Sequence, residues 1–351
     1  MHIKNKISFS ILGLGRVIDK RVFHMFKNEI KNGYVKTIYD KDEKKLNKYA
    51  KLFNCRAENS LESFLNTKSD FVYIATESGN HFKHILKCFY NNKNVIVEKP
   101  PVLKVKDLEI LHKIAKKKKL KFYTIFQNRL NKSVQHAKKI IKKEQIIFVD
   151  LSLIWSRPQE YYNDWHGKWK LDGGVLAQQG IHYVDLLIYL FGNPIKCISS
   201  LENRVNKLQA EDTHSSLVVF KNKNLTCTVN MSTGFRPKDF EASIKIYCKK
   251  KVISLGGLCC NTISVSDLSK KNNDQHKLIK KFSEKVPSGY GVSHKKVFQE
   301  IINYELKKNT NPLKAHETIS TIKLINMMYK SFSEDRWVYF NEKKIISKLG
   351  K

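Results

Sequence analysis

Short apolar runs alternate with amphipathic segments through the first third of the chain. Lys6 to Leu12 predicts a strand, and Ile18 to Lys31 carries apolar residues at helical spacing. The alternation repeats with strand Tyr34 to Tyr39, helix Lys41 to Phe53, strand Phe71 to Ala75 and helix Asn80 to Asn91. Strand Asn94 to Val97, helix Val105 to Lys118 and strand Lys121 to Phe126 continue it. Strict alternation predicts a parallel sheet built from βαβ units. Near Gln127 the pattern changes. A helix over Ser133 to Lys143 and a strand over Ile146 to Trp155 lead to a polar, aromatic loop. One long helix then spans Val175 to Phe191. Five strands follow with no helix between them: Ile195 to Ser200, Ser215 to Phe220, Leu225 to Met231, Ala242 to Cys248 and Val252 to Leu255. Consecutive strands predict a largely antiparallel sheet. Asp267 to Lys281 reads as an exposed loop, and helices over His294 to Lys307 and Ala315 to Phe332 close the chain. The expectation is an α/β protein: a doubly wound parallel sheet over 1–126, then an α+β domain with an open, mostly antiparallel sheet over 127–351.

Several residues with chemistry fall at predicted strand ends. Gly13 and Gly15 sit between the first strand and the first helix, where a Rossmann unit turns tightly and lets a diphosphate approach the helix N-terminus. Ile18 occupies the third glycine position, so the fingerprint is incomplete. Asp40 ends the second strand, where a carboxylate holds the ribose hydroxyls of NAD and repels the 2′-phosphate of NADP, or simply caps the next helix. Thr76, Ser78 and Asn80 follow the third apolar strand, with helix capping as the plain alternative. The run "NVIVEKPP" brings Glu98 and Lys99 to the same predicted edge, and Pro100 and Pro101 stop the strand there. In the second domain Gln178, His182, Asp185 and Tyr189 share one helical face. Gly180, a costly residue inside a helix, points to close approach by a ligand or another backbone. Arg157, Trp165 and Trp169 suit a polar, aromatic sugar site, or a covered interface.

Composition changes this picture little. The 351 residues carry 65 Lys and Arg against 32 Asp and Glu, a formal charge of +33. That charge invites a nucleic-acid reading. Nearly all of it is Lys dispersed over helices and loops, with Arg scarce, so compositional bias accounts for it better and no nucleic-acid partner is expected. Seven Cys without a CxxC pair fit a reduced, cytoplasmic protein. The chain's start has no signal-peptide pattern, and no stretch approaches the ~18 apolar residues of a membrane span. No metal cluster is expected.

Taken in order, "GLGRV", "IATESGNH", "VIVEKPP", "FQNR", "DGGVLAQQGIHYVDLLIYLFG" and "YGVSH" resemble the Gfo/Idh/MocA oxidoreductases over nearly the whole chain. The resemblance implies a Rossmann domain followed by an oligomerising α+β domain, with NAD as cofactor and NADP less favoured. It implies a cofactor site drawn from Gly13, Gly15, Arg16, Val17, Asp40 and Ala75, and from Thr76, Asn80, His81, Glu98, Lys99 and Gln127. It implies Lys99 and His182 as catalytic residues. The substrate would meet Lys99, Asn128, Arg157, Trp165, Trp169, Gln178, His182 and His294. Many relatives carry Asp four residues before the histidine, whereas this chain has Gln178, which cannot ionise. The amide is similar to the subgroup acting on nucleotide sugars, which includes UDP-N-acetylglucosaminuronate 3-dehydrogenases of surface-polysaccharide pathways. A dehydrogenase of a free polyol or inositol is the alternative enzyme. A non-catalytic sugar-nucleotide or nucleic-acid-binding protein is the alternative of another class. Homodimers or homotetramers follow from the resemblance.

Overall fold

The computed structural model describes residues 5–221, 225–267, 275–286 and 288–351. The chain packs into two compact units. The first is Met1–Gln127 with Val292–Ile319, and the second is Asn128–Gly291 with Ser320–Lys351.

Six parallel strands form the sheet of the first unit: β1 (Ile7–Leu12), β2 (Gly33–Tyr39), β3 (Arg56–Ala57), β4 (Phe71–Ile74), β5 (Val95–Val97) and β6 (Phe122–Thr124). Their order is β3-β2-β1-β4-β5-β6, so the winding reverses beside β1. Every residue of β1, β4 and β5 is buried, as expected of parallel strands covered on both faces. In register, Leu12 lies opposite Tyr39 and Ile74, and Ile74 lies opposite Val97. Gly13, Asp40, Ala75 and Glu98 therefore leave the sheet along one edge. The first helix is shorter than its pattern suggested: a π-turn at Ile18–Val22 runs into an α-helix at Phe23–Asn28. Strand β3 and the helix Leu61–Asn66 were not anticipated, because both are too short to establish a period.

A single cut after residue 126 would assign 292–319 to the second domain. Packing joins it to the first. Phe298 sits among the rings of Phe9, Phe26 and Tyr73 at 5.1 to 5.7 Å. A Cβ on Gly33 would meet the Ile302 side chain at 2.7 Å.

Among its described residues the second unit holds eight strands: β7 (Ile146–Ile154), β8 (Pro194–Glu202), β9 (Thr213–Phe220), β10 (Leu225–Ser232), β11 (Glu241–Cys248), β12 (Lys251–Gly256), β13 (Thr262–Asp267) and β14 (Val338–Tyr339). They run in the order β13-β12-β11-β7-β10-β9-β8-β14, and among the described residues only β7 and β10 pair in parallel. Alternating burial marks one packed face and one open face. On β7, Ile147 is 59% exposed, and the exposed Phe148 stacks on Tyr247 of β11 at 4.3 Å. The expected loop over Asp267 to Lys281 is corrected in part. Asp267 ends β13, residues 268–274 lie outside the described residues, and Gln275–Phe282 is a helix. Its lysines masked the amphipathic spacing that brings Phe282 onto the His136 ring.

The long helix expected over Val175 to Phe191 is two helices, Val175–Gln178 and Ile181–Phe191. At the joint, Gly180 N–H donates to Val175 O (2.7 Å) and Tyr183 N–H donates to Gly180 O (2.9 Å), so the i→i−4 ladder breaks. A Cβ on Gly180 would lie 2.3 Å from Met231 Sδ and 2.8 Å from Leu176 O. The close approach inferred from this glycine is therefore made by the side chain of β10 and by the preceding turn.

Candidate functional site

The first half of the site grows out of the shared strand edge of the first unit. Gly13 has φ +93°, a conformation that favours glycine, and a Cβ there would lie 2.8 Å from Thr76 Cγ2. Gly15 differs: its nearest obstacle would be Ala75 O at 3.7 Å, so packing does not demand glycine. The helix start beyond it has no side-chain cap, Arg16 is exposed and Val17 is half-buried. An uncapped helix start above an open glycine turn is what a diphosphate needs. Asp40 Oδ2 accepts Leu14 N–H (2.6 Å) and Oδ1 accepts Asp42 N–H (2.9 Å). The carboxylate thus braces the glycine turn and retains lone pairs for hydroxyl donors. The helix cap is Asp42, whose side chain accepts Lys45 N–H. Gln127 adds a buried carboxamide whose Oε1 has no hydrogen-bond partner among the described residues. An unpaired buried acceptor is costly unless a ligand satisfies it. These residues fit a dinucleotide.

Thr76 and His81, expected in the cofactor site, both have protein partners. The Thr76 hydroxyl is 2.9 Å from His84 Nδ1. Burial lowers the pKa of His84 to about 4, so that ring is neutral at physiological pH. His81 is buried, with Nδ1 2.7 Å from Pro100 O and Nε2 3.0 Å from Thr76 O. It ties the end of β4 to the turn after β5, and it does not line an open surface. Burial pulls its pKa down against the pull of both carbonyls, and the net shift is downward. Neither Ser78 nor Asn80 caps a helix with its side chain; Asn80 Nδ2 donates to Glu77 Oε2 (3.2 Å).

Glu98 is 8% exposed, and its Oε2 accepts the backbone N–H of Lys99 (3.3 Å). Tyr73 OH donates to Glu98 Oε1 (2.6 Å), and His294 Nε2 lies 3.6 Å from the same oxygen. Burial raises the carboxyl pKa, but His294, the Tyr73 hydroxyl and the charge of Lys99 outweigh it and hold it below the ordinary range. His294 is buried, and its Nδ1 has no hydrogen-bond partner among the described residues. Sequence spacing gave no hint of this Tyr73–Glu98–His294 group, because its members come from two strands and a helix that returns late in the chain. Half-buried Lys99 follows directly on this group.

In the second unit Gln178 is 9% exposed, and His182 is half-buried one turn later across the helix break. Asp185, read with them as one face, is turned to a structural task. Its carboxylate takes two bonds from Arg129, at 2.7 and 2.6 Å, and one from Thr321 Oγ1 at 2.8 Å. The "FQNR" and "GIHxxD" segments are thereby clasped together. Buried Asn128, in the same segment, has an Oδ1 with no partner among the described residues. Arg157, expected as an anion clamp, donates to Asp239 Oδ1 (2.8 Å) and stacks 4.9 Å from the Trp155 ring. Trp165 stacks on His166 at 3.9 Å, and Trp169 meets Tyr329 edge-on at 5.0 Å. Both indoles pack within the unit.

The residue sequence reading missed is Glu211. Its backbone carbonyl accepts Val175 N–H, and its Oε1 accepts Leu176 N–H (3.0 Å) and Tyr329 OH (2.9 Å). It grips the N-terminus of the helix bearing Gln178. A Cβ on Gly174 would collide with it at 2.1 to 2.4 Å, which explains one glycine of "DGG". Burial pushes the Glu211 carboxyl up to about 8, and Oε2 has no partner among the described residues. Among those residues, no three His, Cys, Asp or Glu groups could hold a metal, and no helix is long and apolar enough to cross a membrane.

A dinucleotide-type parallel sheet joined to a mixed open sheet defines a two-domain α/β class of protein. The chain belongs to the Gfo/Idh/MocA oxidoreductase family. Residues 7–126 match that family's NAD-binding Rossmann fold, and 138–340 match its C-terminal alpha/beta domain. A WlbA dehydrogenase from Chromobacterium violaceum, solved with NADH and UDP-GlcNAcA, is 27% identical, with a TM-score of 0.86 over 95% of this chain and 96% of that one. The WlbA dehydrogenase from Bordetella pertussis, solved with the same two ligands, shares the fold at 24% identity and a TM-score of 0.89, over 97% of this chain and 99% of that one. A curated relative, the NADP-linked scyllo-inositol 2-dehydrogenase of Bacillus subtilis strain 168, is 29% identical over 140 residues. That match covers 39% of this chain, and the chain spans 39% of that relative's length.

Proposed function

We propose that the protein is an NAD-dependent dehydrogenase that interconverts a secondary alcohol and a ketone on a sugar, and that the sugar is a nucleotide sugar for surface-polysaccharide assembly. The likeness over 95% of the chain to a WlbA dehydrogenase solved with NADH and UDP-GlcNAcA carries this reading. The open glycine turn and the unpaired Gln127 acceptor support the cofactor. Gly13, Gly15, Arg16 and Val17 would hold the diphosphate, Asp40 the adenosine ribose, and Gln127 the carboxamide. Held there, the nicotinamide cofactor would supply the hydride acceptor. Lys99 donates a hydrogen bond to the substrate oxygen and stabilises its developing charge. His182 takes the hydroxyl proton, an acid–base task to which an imidazole side chain is suited. The two roles can also be exchanged between them. Gln178 positions a sugar hydroxyl without ionising, and Asn128, Arg157, Trp165, Trp169 and His294 complete the sugar site.

Lys99→Ala is expected to abolish turnover while NADH still binds; stopped-flow hydride transfer near the wild-type rate would sink the role given to Lys99. His182→Ala is expected to cost roughly 10²- to 10⁴-fold in kcat and to remove the pH dependence of the rate. An unchanged pH–rate profile assigns the proton to Lys99 alone. The partial match to scyllo-inositol 2-dehydrogenase favours a second reading, oxidation of a free polyol. NAD reduction assayed against UDP-sugars and free inositols separates the two.

Two finer proposals accompany this reading. Exposed Phe148, stacked on Tyr247, supports a homodimer or homotetramer built on the open sheet face. Phe148→Glu is expected to lower the sedimentation mass, and an unchanged mass removes the open face from the assembly. Seven unpaired cysteines support a cytoplasmic location, which cell fractionation tests.

A further inference from the structure

We propose that Glu77 helps to decide which dinucleotide the protein takes, by pairing with Lys41 and keeping that ammonium from a 2′-phosphate. The inference rests on the NAD reading above. Asp40 and Lys41 follow β2, and Glu77 follows β4, with β1 and its glycine turn between them. Lys41 is therefore the cation placed beside the carboxylate proposed to hold the ribose, where a 2′-phosphate would enter. Its Nζ lies 3.4 Å from Glu77 Oε1, across the end of β1.

Glu77 is itself fixed. Its side chain is 26% exposed, and Asn80 Nδ2 holds the second oxygen at 3.2 Å. Burial raises its pKa, but its own backbone N–H, Asn80 and Lys41 outweigh burial, so the group is ionised at neutral pH. Lys41 is 83% exposed and has the freer side chain of the two. The arrangement adds a second carboxylate near Asp40 and occupies a cation that would otherwise help to offset a phosphate. Both effects oppose NADP, whose extra group carries about −1.5 to −2 charges.

Glu77→Gln keeps the shape and the acceptor for Asn80, and it releases Lys41. Dissociation constants for NADH and NADPH, measured by nucleotide fluorescence on the whole protein, read the effect without turnover. The variant is expected to bind NADPH about three- to tenfold more tightly, with NADH affinity within about twofold of wild type. Adding Lys41→Ala is expected to cancel the gain. Unchanged NADPH affinity in Glu77→Gln, an equal gain for both nucleotides, or a gain that survives Lys41→Ala overturns the inference and leaves the NAD reading standing. Failure of the wild-type protein to bind NADH overturns both.

Discussion

A buried carboxyl group such as Glu211 shows how one residue ties stability to pH. Its proton stays on up to about 8 in the folded protein, against an ordinary 4.5. Between those values the unfolded chain binds fewer protons than the folded one, so stability falls as pH rises. The contribution is fully present below about 4.5 and is lost as pH passes through about 8. Tyr329 and the adjacent Asp212 face this group, and neither supplies a compensating positive charge. Glu211→Gln is therefore expected to flatten the decline in Tm between about pH 5 and pH 8, measured by thermal melts across that range. A Tm that falls as steeply in the variant would show that Glu211 does not titrate as described. The residue was invisible in the sequence because an "ED" pair before a strand reads as solvated polar surface, and only packing against Gly174 and Tyr329 removes it from water. Asp40, by contrast, was legible from its position at a strand end. The two N–H groups that orient its carboxylate belong to turns whose geometry the sequence does not specify.

At the level of elements, glycine placement carried more information than hydrophobic period. The 3.6-residue spacing runs through Val175 to Phe191 without interruption, so it predicts one helix. Gly180 marks the break, because a Cβ would strike Met231 and Leu176 O. Helix propensity alone would have Gly180→Ala stabilise by about 1 kcal/mol. The collision reverses that sign, and the variant is expected to lose roughly 1–3 kcal/mol in urea denaturation. Stability equal to or above wild type would show that the break tolerates a methyl group. The four positions read as one helical face divide in the same way. Gln178 and His182 are the two proposed above for the sugar chemistry, while Asp185 turns to Arg129 and Tyr189 lies under Lys138. A period places residues on a face; partners from other elements decide what each does there.

Across the whole molecule, the parallel first sheet, the largely antiparallel second sheet and the strand edge bearing Gly13, Asp40 and Glu98 agree with the pattern of the sequence. The return of residues 292–319 to the first unit does not appear in that pattern. Phe298 joins a cluster of aromatic rings with Phe9, Phe26 and Tyr73, and Phe298→Ala is expected to cost about 3–5 kcal/mol of stability. Hydrogen exchange should show the loss in β1 and β4, with the second unit's strands little affected. Loss of protection confined to the second unit would contradict this assignment. The periodicities of 2 and 3.6, the β-branched runs and the two prolines that end "NVIVEKPP" depend on neighbouring residues, so the sequence by itself determined the type of each sheet, most of its longer strands and the place of Lys99 at a strand end. His294 against Glu98, Glu211 against Gly174 and Glu77 against Lys41 depend on side chains far apart in the chain. Only the tertiary structure decided these pairs, because burial and close approach set their charge and their partners.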